Sequence, residues 1–168
     1  ILVDTDLKKP SVHRIFDLER DNGLSDILTG KVNGNLNLSA LESPAVENLY
    51  VLPSGRRPPN PVDLLDSDVM RGLLAKLSAE FDHIILDSAP SLEMPDTSTL
   101  FRHVDGVVLV VKPGQTPRAG LMRVSERVVN FGGRVLGVVL NDPKMRASGP
   151  CQVSSGPKAC TAAAWPST

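Results

Sequence analysis

The sequence predicts an α/β fold with a mostly parallel sheet flanked by helices, on three observations. Short runs of β-branched and aliphatic residues recur along the 168-residue chain. Segments with helical periodicity lie between them. The runs are almost wholly apolar rather than alternating, the pattern of strands covered on both faces.

The strands are read at Ile1 to Val3, Leu49 to Leu52, His83 to Leu86, Val107 to Val111 and Val135 to Leu140. Between the third and the second, Ser67 is an N-cap candidate, and Met70, Leu73, Leu74, Leu77 and Phe81 repeat at the spacing of one helix face. A second helix opens at Thr116 and Pro117, carries its stripe on Leu121, Val124, Val128 and Phe131, and stops at Gly132 and Gly133. Asn60 and Pro61 start a shorter helix through Leu65, and Ser25 to Leu28 forms a single turn closed by Gly30. Residues 31–48 are polar and Asn-rich and are expected to be a surface excursion with little regular structure.

Composition bounds the remainder. With 18 basic and 19 acidic residues and 41% hydrophobic content, the chain is neither a polyanion-binding surface nor a disordered polyelectrolyte. No nucleic-acid partner is expected. The longest strongly apolar run, Val107 to Val111, is far short of the ~18 residues of a membrane span. From Ala147 to Thr168, 18 of 22 residues are Ala, Ser, Gly, Pro, Thr or Cys, too few large apolar groups to offset ordering entropy. The expected division is therefore a domain over 1–146 and a low-complexity, disordered tail over 147–168. Cys151 and Cys160, both in that tail, fit neither a disulfide framework nor a zinc site. Because Ile1 opens the chain inside an apolar run, the sequence reads as a fragment with its upstream part missing.

Ligands of open parallel sheets bind beyond the carboxyl ends of the strands. The first strand ends in Asp4-Thr5-Asp6-Leu7-Lys8-Lys9-Pro10 and the third in Asp87-Ser88-Ala89-Pro90. Two strands thus deliver carboxylates to one sheet edge, an arrangement suited to Mg²⁺ and phosphoryl transfer. Taken singly, each Asp is also an ordinary turn or cap residue.

The stretch Ile1 to Pro10 resembles the second Walker-type motif of the bacterial tyrosine kinases that control capsule and exopolysaccharide synthesis. The likeness continues in order through Gly23 to Gly30, Asn48 to Gly55, Pro59 to Leu65, Phe81 to Pro90 (similar to a Walker B strand), Asp105 to Val111 and Gly137 to Asn141. It covers residues 1 to about 142. It implies a three-layer, P-loop NTPase-like fold lacking its N-terminal part, ATP and Mg²⁺ as cofactors, and protein tyrosine as acceptor. It places Asp4 and Asp6 near the γ-phosphate and metal, one of them assisting deprotonation of the tyrosine hydroxyl. Asp87, with Asp4, would hold Mg²⁺, and Asn141 would contact adenine. The implied partners are further copies of the chain and a polysaccharide co-polymerase activator, or a fused transmembrane region. The implied location is the cytoplasmic face of the plasma membrane.

Two features depart from that pattern. No Gly-x-x-x-x-Gly-Lys-Ser/Thr occurs in the chain, so the cradle of backbone N–H groups for ATP phosphates is not encoded in these residues. The strand leading to such a loop normally lies within the sheet, so its neighbours are expected to expose apolar surface. The one tyrosine, Tyr50, lies on an apolar strand and reads as a packing residue rather than an acceptor. A partition-type or cell-division-type ATPase of the same superfamily is the alternative enzyme, although Gly55 to Leu65 with Asn60-Pro61 favours the kinase. A non-catalytic remnant or interaction module is the alternative of a different class.

Other residues take simpler readings. His13, His83 and His103 share no metal-ligand spacing. Ser88 lacks a Gly-x-Ser-x-Gly elbow. Asp96 reads as an N-cap, Lys8 and Lys9 as solvated positions or as facing phosphate or an acidic partner, and the Arg56-Arg57-Pro58-Pro59 loop as solvated or facing a neighbouring subunit or a membrane activator.

Overall fold

Among the described residues five short strands pair in parallel. A computed structural model of the chain describes residues 1–32, 41–43, 46–89 and 95–141, without the side chains of 95–97. The tail, with its Cys and Trp residues, lies outside the described residues. Element order is β1 (Leu2–Asp4), α1 (Val12–Ile15), α2 (Leu24–Leu28), β2 (Val51–Leu52), α3 (Pro61–Leu65), α4 (Asp68–Glu80), β3 (Ile85–Asp87), a 3-10 helix (Pro95–His103), β4 (Val107–Val111), α5 (Arg118–Asn130) and β5 (Val135–Leu140). One sheet has the order β2-β1-β3 and the other pairs β4 with β5, all parallel. Each predicted strand is present: β4 and β5 match, β1 is shifted by one residue, β2 starts two residues later, and β3 starts two residues later and extends to Asp87. No described helix is long and apolar enough to cross a membrane.

The main core lies around β1. Val3, Leu24, Leu52, Met70 and Leu77 are buried in one cluster, with Tyr50 and Phe81 packed against it. The Tyr50 and Phe81 rings meet edge to face at 5.1 Å, so Tyr50 is a packing residue as the sequence suggests. A second cluster joins Phe101 and Leu109 to Val124 and Val128 of α5.

Local caps set the α3–α4 junction and the end of α5. Ser67 accepts a bond from the Met70 amide at 3.2 Å and donates to the Leu64 carbonyl at 2.7 Å, closing α3 and opening α4 with one hydroxyl. Gly132, at φ 78°, ends α5, and the Gly133 amide donates to the Val128 carbonyl at 2.8 Å. Thr116 does not cap α5. Its Oγ1 instead accepts from the Lys112 amide at 3.1 Å, and Pro117 occupies the N-cap. Asp96 falls inside the 3-10 helix rather than ahead of a helix. Phe131, placed on the α5 stripe by periodicity, follows the last helical residue and is 42% exposed, because the chain turns away at Gly132.

The surface excursion is only partly that. Leu41 is buried in the core, and the Val51 amide donates to its carbonyl at 2.6 Å, while Glu42 and Tyr50 form an antiparallel bridge. A neighbour for β2 is thus recruited from the polar stretch; residues 33–40 and 44–45 lie outside the described residues.

Burial on both faces holds for β1 and β2 alone. Ile85 of β3, Val108 and Val110 of β4, and Leu136, Val138, Val139 and Leu140 of β5 are exposed large apolar residues. Among the described residues β3 and β4 each pair on one edge only, so their apolar content outruns the partners that cover it.

The N-terminus of α2 is docked on the loop after β2. The Leu24 and Ser25 amides donate to the carbonyls of Pro53 (2.8 Å) and Ser54 (2.9 Å), taking the place of a side-chain cap. The close approach needs glycine twice: a Cβ on Gly23 would fall on the Gly55 backbone, and Gly55 itself has φ 81°. Gly23→Ala is therefore expected to cost about 2 kcal/mol or more, whereas Gly72→Ala, in the middle of α4 with open space around it, should stabilise by about 0.5–1 kcal/mol. Urea denaturation midpoints of the two variants provide the check, with opposite signs required.

Candidate functional site

Register brings the carboxylates together. In the β1–β3 ladder Leu2 pairs with Ile85, Val3 with Leu86, and Asp4 with Asp87. Parallel partners point to the same side of a sheet, so Asp4 and Asp87 share one edge and one face. The β1 loop adds Asp6 two residues later. Three of the four sequence-derived site residues therefore meet at one place. Asn141 directly follows β5 in the other sheet, where its amide donates to the Val111 carbonyl at 2.8 Å and the residue is exposed.

The three carboxylates have different environments. Asp4 is fully buried; its Oδ1 accepts from the Asp6 amide at 3.1 Å and its Oδ2 from the Val12 amide at 3.3 Å. Asp4 thus braces both the β1 loop and the start of α1, a four-residue helix absent from the sequence reading. Asp6 is half-buried, and its Oδ1 accepts from the amides of Lys8 (3.1 Å) and Lys9 (2.9 Å). Those two lysines are engaged here through their backbones. Asp87 is exposed as a residue.

Electrostatics distinguish Asp4 further. Burial, then the charge of Asp87, pushes its carboxyl from 3.8 up to about 6, against the opposing bonds from Val12 and Asp6. Burial and then the Asp6 charge raise Asp87 as well. The site therefore carries more negative charge than its surroundings compensate.

That imbalance fits a divalent cation. The donors are all oxygen, as Mg²⁺ prefers, and Mg²⁺ commonly uses one or two carboxylates, completing its shell with water and phosphate. Among the described residues no three His, Cys, Asp or Glu side chains form a ready-made metal cage. Asp87 offers an accessible carboxylate, and Asp4 lies beside it with its oxygens already hydrogen-bonded. A cavity of about 380 Å³ lined by Ile27, Gly30, Val32, Val69, Gly72, Leu73 and Lys76 touches none of the three carboxylates.

Sequence reading missed Thr5. It is buried, its amide donates to the Asp87 carbonyl at 2.8 Å, and its Oγ1 donates to the same oxygen at 2.6 Å. A β-branched hydroxyl residue between two aspartates was its only signal. Asp26 was also unmarked; its carboxylate is buried, with Lys31 at 3.9 Å. Of the histidines, His103 faces Asp66 at 3.6 Å across α3 and the 3-10 helix, in a structural position.

No protein-family model matches the chain. It is 34% identical over 145 residues to Tyrosine-protein kinase YwqD of Bacillus subtilis, a match covering 86% of this chain and 60% of that protein. It is 32% identical over 141 residues to the putative tyrosine-protein kinase CapB of Staphylococcus aureus, covering 84% and 60%. The chain thus spans 60% of the length of each of these curated relatives. Among solved structures, the VpsO kinase domain superposes with a TM-score of 0.74 at 30% identity, covering 83% of this chain and 68% of that one. The kinase domain of Escherichia coli tyrosine kinase ETK gives 0.77 at 29%, covering 92% and 59%. A cobyrinic acid a,c-diamide synthase from Mycobacterium smegmatis, at 18% identity over 83% of this chain and 59% of that one with a TM-score of 0.62, shares the fold alone.

The raised Asp4 carboxyl has a consequence for stability. The folded state retains a proton that the unfolded chain releases near the ordinary value of 3.8, so this contribution is full below about pH 4 and is lost as pH rises through about 6. Two pH units at ~1.4 kcal/mol each give a decline of up to about 3 kcal/mol. Denaturation measured from pH 4 to 7.5 should show that decline, flattened in Asp4→Asn.

Proposed function

This chain belongs to the bacterial tyrosine kinase family, and from that premise we propose that it supplies the carboxylate half of an autokinase active site. The reaction is transfer of the γ-phosphoryl group of MgATP to a protein tyrosine, in the control of capsule or exopolysaccharide synthesis or export. The observation that carries the reading is the pairing of Asp4 with Asp87 at the carboxyl edge of two parallel strands.

Bound Mg²⁺ would neutralise charge on the phosphate oxygens as it develops. Asp87 would hold the ion, directly or through water, with the Asp4 carboxylate beside it. Asp6 is the better placed base: it is the more accessible of the two loop carboxylates, and its Oδ1 is anchored by the Lys8 and Lys9 amides. In the transfer, the tyrosine oxygen bonds to the γ-phosphorus, its proton passes to Asp6, and the bond from that phosphorus to the β,γ-bridging oxygen breaks to leave ADP. Asn141, at the carboxyl end of β5, is assigned to adenine. Phosphate-binding backbone of the Gly-x-x-x-x-Gly-Lys type is not encoded in these 168 residues, so turnover is assigned to the native protein that contains this chain. Further copies of the chain and a membrane-embedded polysaccharide co-polymerase, separate or fused, are the proposed partners, placing the domain at the cytoplasmic face of the plasma membrane.

In the native protein, Mg²⁺-dependent phosphate incorporation into tyrosine should fall at least about 100-fold in Asp87→Asn and in Asp6→Asn, read by phosphotyrosine quantification after incubation with ATP. Unchanged incorporation in both would remove these carboxylates from the mechanism. ATP hydrolysis without phosphotyrosine would transfer the site to a partition-type ATPase.

A further inference from the structure

We propose that Thr5 is a positioning residue: its hydroxyl and its amide together clamp the Asp87 carbonyl and so set the spacing between the Asp4 and Asp87 carboxylates. Asp4 and Asp87 are the last registered pair of the β1–β3 ladder. Beyond that pair a parallel ladder is free to splay, and the two acidic side chains favour splaying by mutual repulsion. Thr5 opposes it with two donors on one carbonyl, at 2.8 and 2.6 Å, so both lone pairs of the oxygen are engaged.

Two further observations define the role. Thr5 is 1% exposed, so its hydroxyl is withdrawn from any substrate and acts through Asp87. The Asp4 side chain is braced separately, by the Asp6 and Val12 amides. One carboxylate is therefore fixed by the chain that follows it, and the strand end bearing the other is fixed by Thr5. Valine has the same shape without the donor, whereas serine keeps the donor without the methyl group, so the pair separates hydrogen bonding from packing.

The clamp itself is independent of the phosphoryl-transfer reading; its effect on metal affinity rests on that reading. The test is a double-mutant cycle of Asp4→Asn and Asp87→Asn on the full chain, measured by urea denaturation at about pH 8, where ordinary carboxyls are ionised. It is run in the wild-type, Thr5→Val and Thr5→Ser backgrounds, with Mn²⁺ titrations of each background alongside. Coupling between the two aspartates should be present in the wild type, lost with Thr5→Val and retained with Thr5→Ser, and Mn²⁺ affinity should weaken several-fold with Thr5→Val only. Coupling absent in the wild type, equal in all three backgrounds, or lost equally in both variants overturns the clamp. If Thr5→Val does not fold, amide hydrogen exchange of the wild-type chain decides: Thr5 must be protected like the β1 core, and exchange at loop rates overturns the proposal. Thr5-dependent coupling with no Mn²⁺ binding in any background supports the clamp and overturns the metal reading of the site.

Discussion

The parallel pairing of β1 with β3 is the constraint on which the rest of the site depends. It sets Asp4 opposite Asp87, and hydrogen-bond register in a sheet is a discrete choice. A slip of one residue would reverse the faces of every side chain on β1. Val3, fully buried at the centre of that strand, opposes such a slip, because its packed apolar side chain would have to change faces. Hydrophobic burial thus enforces the juxtaposition of two like charges, which left to themselves would separate.

The energetic consequence is a site held under electrostatic stress. Asp4 is surrounded by protein, and its charge is disfavoured by burial and by its neighbour. Its two backbone bonds recover only part of that cost. Stress of this kind is common where a structure is organised for a charged ligand rather than for its own stability, and a cation or a phosphate-bound metal relieves it. The same residues that weaken the fold at neutral pH are those the proposed chemistry uses.

The two clusters of the core differ in how completely they are covered. The cluster around Val3, Leu52 and Leu77 is closed by helices and by the turn at Leu41. The β4–β5 pair is packed on one face by α5, while Val108 and Val110 face outward. Local sequence signals are alike in both sheets, since every strand is an apolar run. What differs is the set of elements within reach, and burial belongs to that set rather than to the strand.

Local chemistry in the sequence was sufficient for the existence and type of most elements. Apolar runs identified five strands, and Ser67, Gly30, Gly132 and Gly133 marked helix ends, because caps and left-handed turns depend on one or two residues and their immediate neighbours. The motif residues Asp4, Asp6 and Asp87 were legible for the same reason, as acids immediately after strands. Tertiary structure alone decided which oxygen meets which donor. Asp4 proved a buried brace and Asp6 the accessible acid, although the sequence presents them symmetrically. Leu41 joined the core from a polar stretch, Thr116 turned to Lys112 instead of capping α5, and Thr5 found its acceptor 82 residues away. Each outcome depends on a contact between distant segments, and spacing along the chain carries no record of such contacts.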